Sequence, residues 1–286
     1  MVLCSIHLIA LKAGTPPSSF LSSLRAAGLA PLVQARVLRW MILPTQLSAG
    51  HLLARNVRWD LLLVLAGGSR IGASLRAAAV AAEWTAEVGT SAKLLSDYAS
   101  LNASLLLLGP AAQIPDLAAA AAAGGAPSSR DLELTPELAS FIAALPPHLR
   151  SHPVSMLNLI AFRPGKQVQY VRYGQEFSAR VGARYGGRVK IVGKVTSSGV
   201  VEGGGEGEEE EEKDAAKQQE GWDEIAFVHY PSIAHFASMA SDKDYQDVNH
   251  KYRLGALKDT FILCVLEVTD DGEVVGRAEK ENQMKL

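Results

Sequence analysis

The chain has 286 residues, 48% of them hydrophobic, and a formal charge of −2 at pH 7, which allows one large domain or two ordinary ones, each with a substantial core. Seven negative charges, Glu202, Glu206 and Glu208 to Glu212, fall in one short stretch, and without them the remainder stands at about +5, too mild and too scattered to argue for nucleic acid. No run approaches the roughly 18 to 20 apolar residues that span a bilayer, and the opening MVLCSIHLIALKAG lacks the basic start of a signal peptide, so the expectation is a cytoplasmic protein that partners neither nucleic acid nor membrane.

In chain order, Met1 to Leu11 reads as a strand and Pro16 to Gly28 as a helix, with proline at its start and glycine at its end. Val33 to Leu43 alternates as a second strand, and Trp59 to Leu65 is apolar enough for a buried third. Ile71 to Tyr98 carries an alanine-rich helical pattern, and Ala103 to Leu108 reads as a fourth strand. The segment 109–150 is an Ala/Gly/Pro-rich linker that ends in a short helix, Leu138 to Ala144, with Thr135 as its N-cap. Cys4 and Cys264 each lie inside a strand pattern, which suits reduced core thiols.

The second half runs in the same order. Pro153 to Phe162 is a strand, Val168 to Tyr185 a helix with Tyr170, Tyr173, Phe177 and Val181 on one face, and Arg188 to Val195 a strand. The glutamate-rich insertion, 201–220, has nothing apolar to bury and is expected to be disordered. Asp223 to Tyr230 alternates as a strand, Ser232 caps a helix, and Thr260 to Val268 closes the unit before a polar tail, 269–286. SIHLIAL from Ser5 lies over MLNLIAF from Met156, and WDLLLVLAG from Trp59 lies over WDEIAFVHY from Trp222. Residues 1–108 and 151–268 are therefore expected to be two copies of one βαββαβ unit.

PVSMLNLIAF, YVRYGQEF, GGRVKIVGKV, WDEIAFVHYPSIAHFASMASDKDYQDVNHKYRLGAL and DTFILC together resemble, in order and spacing, an uncharacterised family of the dimeric α/β barrel superfamily, related to the antibiotic biosynthesis monooxygenases. The resemblance covers about residues 150–268. It implies an α+β fold of two tandem ferredoxin-like units that pair within the chain as a pseudo-dimer, as a monomer or a homodimer. It further implies a small-molecule enzyme without cofactor, a monooxygenase, cyclase or isomerase of secondary metabolism, acting on an aromatic or polyketide-type metabolite. The alternatives are a non-catalytic binding or structural barrel and a haem protein with His229 or His250 as axial ligand.

On that fold, strand alternation sends Met156, Asn158 and Ile160, with Ile225, Phe227 and His229, into the barrel. His229 is the candidate general base, with Asn158 and Tyr173 stabilising an enolate oxygen. Tyr170, Arg172, Phe227, Tyr245, His250 and Arg253 are the candidate ligand-binding residues, His250 and Arg253 sharing one helix face and Tyr245 another. No metal-ligand spacing is present, and none of these residues requires a cofactor.

Overall fold

In a computed structural model, residues 1–53, 56–107, 116–124, 126, 128–201 and 221–275 are described. The elements in order are β1 (Val2–Leu11), α1 (Pro17–Ala26), β2 (Val33–Ile42), α2 (Ala49–Leu52), β3 (Leu61–Ala66), α3 (Ala73–Ala79), β4 (Val80–Thr90), α4 (Ala92–Leu107), α5 (Leu117–Gly124), α6 (Pro136–Ala144) and α7 (Pro147–Arg150). They continue as β5 (Val154–Phe162), α8 (Gln167–Phe177), β6 (Arg188–Val200), β7 (Glu224–Tyr230), α9 (Ile233–Ala240), α10 (Lys243–Val248) and β8 (Leu257–Glu267).

The eight strands form one closed, all-antiparallel barrel in the order β1-β3-β2-β8-β5-β7-β6-β4. This overturns the expected pair of tandem ferredoxin-like units: the strands of the two halves are hydrogen-bonded into one sheet. β2 pairs with β8 from Ala35 opposite Glu267 to Ile42 opposite Ile262, and β4 pairs with β6 from Trp84 opposite Val200 to Thr90 opposite Gly193. Gly193 is required there, because a Cβ on it would lie 2.8 Å from the Gly89 carbonyl oxygen.

The tandem repeat fails in the elements as well. The predicted helix over 71–98 is a short helix, a strand and the start of α4, and the predicted strand Ala103 to Leu108 lies in α4 up to Leu107. Alanine-rich text misleads here because Trp84, Ala86 and Val88 alternate inward on β4, while the helical reading came from residues of high helix propensity. The linker also packs: Leu117, Ala121, Leu132 and Leu134 are buried against α6 and α9. Thr135 caps α6 as predicted, its Oγ1 accepting from the Leu138 amide at 3.1 Å. The predicted disorder of the acidic stretch falls on 202–220, outside the described residues.

Phe261 stands at the centre of the barrel, with the rings of Trp40, Trp84 and Trp222 edge-on to it at 5.4 Å, 5.9 Å and 5.4 Å. Outside, α1 packs Phe20, Leu21 and Leu24 on β1 and β3, and α6 and α9 pack Ile142 and Phe236 on the face that carries Met156 and Cys264. Burial raises both thiols, Cys4 to about 11, as befits inert core groups.

Asp259 ties the β2–β8 seam together. Its carboxylate accepts from the amides of Thr45, Gln46 and Leu47, from Thr45 Oγ1 at 3.0 Å and from the Thr260 amide at 3.0 Å. Burial alone would raise its pKa, but the backbone donors outweigh burial and hold it below the usual carboxylate value. Asp259→Asn is expected to cost about 2 kcal/mol in urea unfolding at neutral pH. A folded pKa below the unfolded one means that this contribution is complete above the unfolded value, ~3.9, and disappears as pH falls through the folded one. The gap between wild type and variant should therefore close in acid; a gap constant with pH would contradict the assignment.

Candidate functional site

The barrel interior is not where the expected site residues meet. On β5, Leu157, Leu159 and Ala161 point inward and Asn158 points out, its amide donating to the carbonyls of Met156 and Ala226, both at 3.0 Å. On β7, Ile225 and Phe227 point inward, and His229 shares their parity. Asn158 and His229 therefore occupy opposite faces of one sheet, and the predicted trio of His229, Asn158 and Tyr173 is not assembled. The reading of β5 was out of phase by one residue, and a period of two reverses every side chain at such a slip. Trp84, Phe227, Phe261 and their neighbours occupy the interior.

At one end of the barrel Lys190 is fully buried and bonded to Glu267 and, at 2.8 Å, to Asn102 Oδ1. Phe227 lies 4.7 Å from the ammonium, and Tyr98 and Asn102 of α4 reach Glu267. Burial pushes the Lys190 pKa down while Glu267 opposes it. Burial, then the charges of Lys190 and His235, depress His229 to about 3, so it stays neutral and is too weak a base for the role predicted for it. Its Nε2 is buried without a hydrogen-bond partner among the described residues.

A second buried network lies under α3. His7 bonds Glu83 Oε1 at 2.6 Å through Nδ1 and Ser5 Oγ at 2.9 Å through Nε2, while Arg76 donates to Glu83 Oε2 at 2.7 Å. The distances are those of a Ser-His-Glu relay. Ser5, however, is 1% exposed and donates to the Ser69 carbonyl at 2.7 Å, so the hydroxyl is both inaccessible and committed. We read this network as structural.

The predicted ligand-binding residues that do converge lie between the helices and the outer face of β5 and β7. On α8, Tyr170, Tyr173 and Phe177 recur at helical spacing and stack in a row, with centroids 5.2 Å and 6.0 Å apart; Phe162 continues the row at one end and Tyr245 of α10 at the other. The Tyr173 and Tyr245 hydroxyls are 3.3 Å apart. Asp242 starts α10 by accepting from the Tyr245 amide at 3.0 Å.

Arg253 enters this row from the π-helical turn Asn249–Arg253. In an unbroken α-helix, eight residues would leave it about 80° round from Tyr245. The wider turn underwinds the chain and brings Arg253 back to the tyrosine face, so it parts from His250. Arg253 is 2% exposed, lies near enough to Tyr170 to oppose the rise of its pKa and reaches Asn249 Oδ1 at 3.5 Å. Asn249 is held in turn by donating to the Asp131 carbonyl at 2.7 Å and to Gln246 Oε1 at 2.9 Å. No carboxylate lies within ion-pairing distance of Arg253 among the described residues. Burial, then the Tyr245 phenol, raise Tyr173 well above its ordinary value, against the pull of Arg253. Burial likewise raises Tyr170 and Tyr245. The phenols are therefore neutral donors at physiological pH, and the guanidinium supplies the charge.

Tyr170 and Tyr173 are only half-buried, so the α8 part of the row is reached from solvent, while Tyr245 is buried. Arg172 and His250 stay outside it: Arg172 stacks on Tyr252 at 5.4 Å, and His250 meets Glu133 at 3.3 Å in the open. Asn249, Lys190, Glu83 and Glu267 were missed, though a lone charge inside an apolar strand run, as in GGRVKIVG or CVLEV, was the available signal. Among the described residues no group of three or more His, Cys, Asp or Glu side chains is placed to hold a metal, and no helix is long and apolar enough to cross a membrane.

Fold and site together define a closed antiparallel barrel with a tyrosine row around a buried arginine on its outer, helix-covered side. No protein family matches the chain, and no curated protein does. Among solved structures, the crystal structure of a protein of unknown function from Rhodopseudomonas palustris is similar at 26% identity, over 46% of this chain and 91% of that one, with a TM-score of 0.32, too low to carry a fold argument.

The buried ion pair gives a stability test. Lys190→Met leaves Glu267 as an uncompensated carboxylate and is expected to lower unfolding free energy by about 3 kcal/mol. The double variant Lys190→Met with Glu267→Leu should recover most of that loss in the same urea titration. Equal destabilisation by the single and double variants would mean that the pair acts through shape alone.

Proposed function

We propose that the chain binds a small aromatic or polyketide-type metabolite along the tyrosine row and acts on it as an enzyme without an organic cofactor. The observation that carries this reading is the buried, positively charged Arg253 beside three protonated phenols, the half-buried Tyr170 and Tyr173 and the buried Tyr245. Such a set donates hydrogen bonds and positive charge to an oxygen on which negative charge develops, as in an enolate or phenolate. Tyr173 and Tyr245 would position that oxygen, and the aromatic row would stack on the ring system.

Proton abstraction needs a base that these residues do not supply, so the substrate's own acidity or solvent fills that role. The competing reading, a packed barrel that serves only as a structural module, is favoured for the interior by the rings that fill it, but it leaves the Arg253 charge unexplained.

The test is calorimetric titration with 2-naphthol, a planar phenol uncharged at neutral pH. Wild type should bind it, and Tyr173→Phe should weaken binding about fivefold, the worth of one hydrogen bond. Tyr245→Phe should do the same. Absence of binding, or undiminished affinity in both variants with the fold intact, would sink the reading.

A further inference from the structure

Arg253 also lines a cavity of about 140 Å³, close to the size that holds a single benzene. Its lining includes four cations, Arg130, Arg163, Arg253 and Lys258, and two carboxylates, Asp131 and Asp259. Arg253 is buried, while Arg130, Arg163 and Lys258 are exposed.

The charge in this cavity is not balanced from within. Asp259 spends its oxygens on the Thr45–Leu47 turn and on the Thr260 amide. Arg163 Nε donates to the Leu257 carbonyl at 2.9 Å, which orients the guanidinium without neutralising it. None of the four cations has an ion-pair partner among the described residues. Taking a guanidinium out of water is costly unless an anion faces it, and Arg253 has only neutral phenols and an amide oxygen for company.

We infer that this cavity receives the oxyanionic group, carboxylate or phosphate, of the ligand whose ring system lies on the tyrosine row. The inference rests on the reading above and narrows it: the substrate class is an acidic aromatic metabolite, with Arg253 shared between the anionic group and the reacting oxygen. The planar guanidinium groups in the lining suit bidentate capture of such a group, and Lys258 adds a point charge.

The experiment is titration of the full chain with inorganic phosphate and, separately, with succinate, at ionic strength held constant with chloride. Saturable binding of at least one anion is expected, and the tighter of the two names the group. Arg163→Gln and Lys258→Gln, both at exposed positions and each checked for retained fold by circular dichroism, should weaken that anion about tenfold, the worth of a charge-assisted hydrogen bond. Neither should alter 2-naphthol binding. No saturable anion binding, or equal affinity in wild type and both variants, would overturn the inference. Loss of 2-naphthol discrimination by Tyr173→Phe would instead overturn the tyrosine-row reading and leave anion capture standing.

Discussion

Barrel closure across the β2–β8 and β4–β6 seams is the constraint on which the remaining structure depends. A four-stranded sheet from either half would leave two edges and one apolar face open to water. Closing eight strands removes every edge and turns one face of each strand into a shared interior. The seams are demanding: β2–β8 carries two irregularities of register and β4–β6 one, and Gly193 is needed where the backbones approach. Asp259 fastens the turn after β2 to the start of β8 with hydrogen bonds from five donor groups, so closure is secured by polar contacts as well as by burial.

Because the interior is closed and filled, chemistry is displaced outward. Phe261 and three tryptophans occupy the centre, and two buried charged groups are met by partners of opposite charge. Lys190 meets Glu267, and His7 meets Glu83 and Arg76. Arg253 differs from them, a buried cation met only by neutral groups among the described residues. That imbalance, rather than any motif, is what the proposed ligand site under α8 and α10 rests on.

The halves also differ in what they cover. In the first, α3 is seven residues long and seals a satisfied polar network. In the second, the connection from β7 to β8 holds α9, α10 and the π-helical turn, and that extra length brings Tyr245 and Arg253 to the sheet. Unequal cover over a continuous barrel gives one outer face a reachable site and the other a closed one.

The sequence by itself determined most strands of the second half, the Thr135 and Ser232 caps and the aromatic face of α8, because these rest on local periodicity and capping chemistry. It also singled out Tyr170, Tyr173, Tyr245 and Arg253 as candidates. It could not determine the phase of β5, since both faces of that strand are apolar and either could be the inner one. Nor could it show β4, where alanine-rich text has helical propensity but tertiary pairing with β1 and β6 makes a strand. Only the tertiary structure joined the halves into one barrel, separated His229 from Asn158 and turned Arg253 onto the tyrosines. Each of those outcomes depends on contacts between residues far apart in the chain, which local pattern does not encode.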